Sequence, residues 1–208
     1  MSAAQAPGEI PLRCRCGRVR GLAREVTPRS GFRFTCYCGD CQAFARFLER
    51  PDVLDGAGGT DIFQMPTGRV QLTAGRDAIR CLHFSARVFR WYTDCCQTPI
   101  GNTAGAGFPV VGVIHSFMDH VAAGRSRDEA LGAPLCRIFA SSATAPLPPD
   151  APPPLLLALM PVRMTTLFRW WWRGLGRPNP FFDERSRAPL SEPRRFAPAE
   201  RAALEAEA

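Results

Sequence analysis

The chain contains no lysine: all 26 of its basic side chains are arginine. That reads as the codon bias of a GC-rich genome rather than as recognition chemistry. The first residues, Met1-Ser-Ala-Ala-Gln-Ala-Pro-Gly-Glu9, lack a basic stretch followed by an apolar one. No secretory signal is therefore expected, and a reducing cytoplasm is the predicted setting. An uninterrupted membrane span is lacking too, because the most apolar stretch, residues 155–174, is broken by Pro161, Arg163 and Arg169. Internal repeats and recognised nucleic-acid motifs are absent. The net charge is +7, yet the arginines are scattered and several alternate along predicted strands, so nucleic acid is not an expected partner. With 46% hydrophobic and 22% charged residues the composition is that of a globular protein, and global disorder is excluded.

Cysteine, by contrast, is abundant and clustered. Seven of the nine cysteines fall into Cys14-Arg-Cys16, Cys36-Tyr-Cys38-Gly-Asp-Cys41 and Cys95-Cys96. In a reducing compartment such groups are read as metal ligands rather than as a disulfide framework. The expected metal is zinc, two ions per chain. Cys14 and Cys16 supply two ligands of a four-ligand site, and Cys95 and Cys96 are the natural donors of the remainder. Adjacent residues on a strand point to opposite faces, which would turn one of that pair away. Cys36, Cys38 and Cys41 stand just before and at a predicted helix start, where the helix dipole favours thiolate. Three protein ligands leave a coordination position open, as in catalytic rather than structural zinc sites. These three are the predicted catalytic residues. Cys81 and His83, two apart on a strand, are weaker candidate ligands and more ordinary as packing residues. Cys136 is expected to be a core thiol and His115 structural, whereas His120 has no partner readable from sequence. Arg13, Arg15 and Arg46 lie near the clusters and could attract a carboxylate, although solvated arginine is the commoner case.

Residues 1–11 read as a flexible leader and 12–142 as a mainly β, antiparallel domain. The strand-like runs are 18–22, 32–35, 61–65, 69–73, 79–85, 88–92 and 108–114, punctuated by glycine. One helix is predicted over 41–50, capped by Asp40 and stopped before Pro51, and the capping box Ser126-Arg-Asp-Glu129 opens another. A proline-rich linker spans 143–154 and should be extended. A helical Trp/Arg-rich extension fills 155–208, with tryptophans at 170, 171 and 172 and a terminal helix from about Pro198. Its apolar face is expected to pack on the core or on a second subunit. Residues 155–182 are the segment for self-association or, alternatively, for peripheral membrane contact.

Three motifs in this order, Cys14-Arg-Cys16-Gly17, Cys36-Tyr-Cys38-Gly-Asp-Cys41 and Cys96-Gln-Thr-Pro99, resemble the glutathione-dependent formaldehyde-activating enzyme family, which includes centromere protein V-like members. The resemblance covers about 12–115 and suggests a bacterial branch with a C-terminal extension. It implies an Mss4-like, or β-tent, fold of antiparallel sheets. It also implies a structural zinc on the first and third motifs, a second zinc on the middle one, and carbon–sulfur bond formation between glutathione and formaldehyde to give S-(hydroxymethyl)glutathione. The partner so implied is glutathione or another small thiol adduct. Aligned on Thr98-Pro99, the family's Cys-X-X-Cys-Gly-Thr-Pro places its second cysteine at Cys96. Gln97 then stands for the glycine and Thr93 for the first cysteine. Tyr37 stands where many members carry histidine. These departures keep open a second function, a non-catalytic zinc scaffold whose C-terminal helix meets a protein or membrane surface.

Overall fold

The computed structural model describes residues 8–85, 87–155 and 159–206. Of the predicted leader, residues 1–7 lie outside the described residues. Its last part is not a leader at all, since β1 (Ile10–Arg13) begins there and buries Ile10 and Leu12. β1 pairs antiparallel with β2 (Arg20–Ala23), and β2 with β5 (Val70–Ala74), forming a three-stranded sheet.

An eight-stranded sheet is built from β3 (Phe32–Cys36), β4 (Thr60–Pro66), β6 (Ile79–His83), β7 (Phe89–Thr93), β8 (Pro99–Thr103), β9 (Val110–Ile114), β10 (Cys136–Ile138) and β11 (Arg194–Arg195). Their order is β10-β3-β4-β9-β8-β7-β6-β11. The predicted strand runs all correspond to strands, because alternating apolar residues must meet a core on one face. The expectation of a wholly antiparallel core needs correction at the two edges: β10 runs parallel to β3, and β11 parallel to β6. Both edge strands return from distant parts of the chain, so no hairpin forces an antiparallel pairing on them. In the middle, a Cβ on Gly101 would stand 2.5 Å from the Gly112 carbonyl. That close approach admits only glycine.

Each face of the large sheet has its own core. One face, with Phe63, Met65, Trp91, Val111 and Val113, packs on Ile10, Leu12 and Val70 of the small sheet. The other carries Phe34, Ile62, Leu82, Tyr92 and Ile114. It is covered by α1 (Gly39–Phe47) through Phe44 and Phe47 and by α4 (Pro198–Ala206) through Leu204. The predicted 41–50 helix is thus shifted toward the N-terminus, capped by Cys38 in extended conformation rather than by Asp40. It ends before Pro51 is reached: Glu49 adopts φ 53°, with Glu49 N–H donating to the Arg46 carbonyl and Arg50 N–H to that of Ala45. This is a Schellman termination with glutamate in the usual glycine position. The capping box forms as the sequence requires, opening α2 (Arg127–Leu131).

The proline-rich segment is not extended throughout, since Ala151 N–H closes a turn on the Pro148 carbonyl, but its end at Pro152–Pro154 runs along the sheet edge. Arg137 N–H donates to the Pro153 carbonyl and Leu155 N–H to that of Arg137. After it comes α3 (Met160–Trp172), none of whose residues is fully buried. The chain then returns to the body: Gly68 N–H donates to the Leu175 carbonyl, and Phe181 and Phe182 are 0% and 3% exposed. Phe181 stacks on Trp91 at 5.1 Å, and Phe182 meets Trp91 and Phe89 edge-on. The proline-rich stretch therefore joins parts that share one core. Phe181→Ala should cost about 3–5 kcal/mol through lost transfer energy and a residual cavity. Urea unfolding checks this, and a cost under ~1 kcal/mol would mean that this region contributes little to the fold.

Candidate metal centres

β1 delivers Cys14 into a tight turn. Gly17 takes φ 77°, its N–H donates to the Cys14 carbonyl at 2.9 Å, and the Val19 N–H reaches the Cys14 sulfur at 3.2 Å. Across the molecule, β7 ends at Thr93 and the chain turns through residues 94–97 before β8 begins. Gln97 holds the turn at φ 53°. It thus occupies, as a non-glycine residue, the left-handed geometry that glycine adopts without steric cost. Because Cys95 and Cys96 lie in this turn and not on an extended strand, the opposite-face argument does not apply. Both side chains converge on Cys14 and Cys16, and all four sulfurs lie within 4.8 Å of one another.

Individual separations are 3.6 Å for Cys14–Cys16, 3.4 Å for Cys16–Cys95, and 3.9 Å for Cys14–Cys95 and for Cys95–Cys96. A tetrahedron of thiolates at the usual zinc–sulfur bond length of ~2.3 Å has edges of about 3.8 Å. The donor set and its spacing therefore fit a four-thiolate metal site. Thr98 organises its inner side. The Thr98 hydroxyl lies 3.2 Å from the Cys96 sulfur, accepts the Arg15 N–H at 3.0 Å, and takes a longer contact from buried Arg50 at 3.4 Å. Burial opposes ionisation of Cys96, but hydrogen bonds from Thr93 and Thr98 outweigh it and bring the thiol down to about 6. Thr93 supports the site by a contact to Cys96 at 3.5 Å.

The second cluster forms where β3 passes into α1. Cys36 ends the strand, Cys38 caps the helix and Cys41 lies in its first turn. Their sulfurs again lie within 4.8 Å, with Cys36–Cys38 at 3.4 Å. Cys36 and Cys41 are buried, and Cys38 is half-buried. No fourth His, Cys, Asp or Glu joins this group among the described residues. Hydrogen bonds from Cys36 and Cys38, followed by the charge of Arg90, hold Cys41 well below the ordinary thiol range. Its neighbours Cys36 and Cys38 are both raised, Cys36 mainly by its hydrogen bonds to the other two sulfurs.

Arg90 is the residue beside this cluster that sequence reasoning missed. It is the second residue of β7, is 4% exposed, and stands 3.6 Å from the Cys41 sulfur and 3.4 Å from Asp40. Phe44 and Phe84 lie under its guanidinium within 6 Å. Three thiolates around a divalent cation would carry one net negative charge, and Arg90 is placed to balance it inside the core. Asp40 in turn accepts from Arg201 of α4 at 3.0 Å, so the C-terminal helix is latched beside the cluster. A signal existed in the sequence: an arginine between Phe89 and Trp91 on a strand apolar on both faces needs a buried partner.

The remaining candidates lie elsewhere. The Cys81 sulfur donates to the Ser191 carbonyl, His83 sits against the Ser85 and Val88 carbonyls, and Cys136 is a buried core thiol. His115 Nδ1 is 3.3 Å from the Asp61 carbonyl. His120 is buried with neither ring nitrogen partnered among the described residues, and burial depresses it to about 4. Arg13 pairs with Asp119, and Arg46 donates to the Leu204 carbonyl. Tyr37 donates to Asp55 at 2.9 Å, and its ionisation is pushed up to about 12, chiefly by burial. No helix among the described residues is long and apolar enough to cross a membrane.

A mainly β framework carrying two sulfur clusters, each able to hold a metal ion, is the class this geometry defines. The chain belongs to the family described as "Family of unknown function (DUF6151)", which matches residues 7–192 and so includes both clusters and the Phe181-Phe182 anchor. No curated protein matches it.

Proposed function

We propose that this chain is a two-zinc, cytoplasmic protein of Mss4-like type that joins a small thiol, glutathione in the first instance, to formaldehyde. Cys14, Cys16, Cys95 and Cys96 hold the structural ion, and Cys36, Cys38 and Cys41 form the reactive site. The observation that carries this reading is the contrast between the clusters: four sulfurs in one, and three beside a buried arginine in the other. The ion at the three-cysteine site supplies Lewis-acid stabilisation of the thiolate form of an incoming thiol. The protein's own groups set the charge around it. The N-terminus of α1 directs its positive end at the cluster, and Arg90, which cannot lose its proton near neutral pH, keeps a fixed cation against Cys41. The reaction is an addition. A sulfur–carbon bond forms, the carbonyl π bond breaks, and the thiol proton ends on the former aldehyde oxygen.

The test combines metal analysis with turnover of glutathione and formaldehyde. Wild type should hold two zinc ions and produce the adduct. Cys38→Ser should hold one ion, remain folded and lose at least ~100-fold in rate. Full turnover by metal-free protein would rule the reading out.

A second reading, a non-catalytic zinc scaffold, is favoured by the outer face of α3, where Phe168, Trp171 and Trp172 are largely exposed. It holds if both ions bind, no adduct forms, and the protein floats with liposomes or captures a partner through α3.

A further inference from the structure

Between α3 and the end of β3 and β4 that carries Phe32 and Gln64 lies a cleft of about 1050 Å³. None of the clustered cysteines lines it. Its walls are apolar, with Phe32 on the sheet side and Leu159, Val162, Leu167 and Trp170 on the helix side. The volume lies at the upper end of ordinary ligand pockets, which are built of apolar walls with a few convergent polar groups.

The charged groups are almost all of one sign. Arg29, Arg69, Arg125, Arg163, Arg169 and Arg173 border the cleft, against a single carboxylate, Glu25. Glu25 is already taken by Arg69 at 2.5 Å. The other five arginines have no carboxylate partner among the described residues. Arg163 is the most telling of them. Its guanidinium lies 3.6 Å from the centre of the Phe32 ring and donates one Nη to Gln64. The other, Nη1, is buried without a hydrogen-bond partner among the described residues. Arg163 itself is half-buried, and a cation partly withdrawn from water is favoured by a nearby anion.

We propose that this cleft is a binding site for an anionic amphiphile, a molecule with an apolar body of fatty-acyl size and one carboxylate or phosphate head. The body lies along Phe32, Leu167 and Trp170, and the head is met by Arg163 with Arg169 and Arg173 at the rim. An uncharged molecule would leave the arginine-lined border without a counter-charge, and a purely polar anion would leave the apolar walls wet. Only a molecule with both parts matches the lining.

Trp170 provides the readout. Dibromostearate, added as a monomer, should quench part of the tryptophan fluorescence saturably at one site per chain, and Trp170→Phe should remove that part. Unlabelled oleate and dodecyl phosphate serve as competitors, which separates a carboxylate from a phosphate source. Oleyl alcohol is the neutral control. Arg163→Gln should weaken binding by about tenfold, the loss expected for one charge-assisted contact. Because Arg163 also ties α3 to the sheet, the solvent-exposed pair Arg169→Glu/Arg173→Glu is the second variant. It should weaken oleate at least as much, with unchanged circular dichroism and zinc content. Competition by either anion, with oleyl alcohol ineffective, supports the proposal. Equal competition by the alcohol, binding indifferent to both variants, or quenching seen only with intact vesicles would overturn it.

Discussion

Cys14→Ser should leave the protein unfolded or insoluble, and chelation of the wild type should melt both sheets together. Cys14 directly follows β1 of the small sheet, and the Cys95 sulfur, 81 residues away in sequence, stands 3.9 Å from its own. A cross-link closing a loop of that size is worth about 4–5 kcal/mol in chain entropy alone. Structural zinc on four ligands contributes about 10–16 kcal/mol at neutral pH. Both figures compare with a whole-domain stability of about 5–15 kcal/mol, so loss of this centre is not a perturbation but a loss of the fold. The control is Cys81→Ser, a buried thiol outside both clusters, which should remain folded with full metal content. Thermal unfolding of Cys14→Ser at the wild-type midpoint, or a chelator-stripped protein with unchanged near-ultraviolet dichroism, would contradict the assignment.

Arg90→Leu should do something different: spare the four-sulfur centre and weaken the other. The substitution leaves Asp40 with Arg201 as its remaining cation but removes the positive charge facing Cys41. The three-thiolate ion then carries an unbalanced negative charge in a buried site. Affinity for the second zinc should fall about 10–100-fold, the range found when groups that support metal ligands are removed. Stability should fall by about 3–5 kcal/mol, since one member of a buried charged pair is gone. Arg90→Lys should restore part of the affinity, because charge returns without the planar fork. Competition with a chromophoric zinc chelator reads both variants. Two ions held with wild-type affinity in Arg90→Leu would show that the guanidinium is a packing residue only.

The cysteine spacings were legible because ligands one to three residues apart need no knowledge of the fold to be grouped. Pairing Cys14 and Cys16 with the third motif was legible in outline, but the use of both Cys95 and Cys96 was not. It depends on the turn held by Gln97, whose left-handed backbone nothing in its side chain announces. Seven strands of the two sheets were visible through alternation and turn residues, whereas β1, read in part as a leader, and β8, which opens on Pro99 and carries Gly101, were not. β10 and β11, three and two residues long, are too short to show a period and are defined only by the strands they join. Arg90 was hidden by a general expectation that strand arginines face water. Phe181-Phe182 was visible as an apolar pair in a polar stretch, but its destination beside Trp91 is a tertiary fact.

The rims of the large sheet carry one more consequence. On one side β10 is followed by the proline-rich strip, where Pro154 bridges Arg137, and proline has no N–H to offer a newcomer. On the other, the outermost strand is only Arg194 and Arg195, both exposed. A foreign strand therefore finds either no donor row or a pair of like charges, which is how natural sheets discourage intermolecular zippering. Cutting the chain before residue 194 would bare β6 at Leu82 and His83, and the protein should then become more prone to fibrillar self-association.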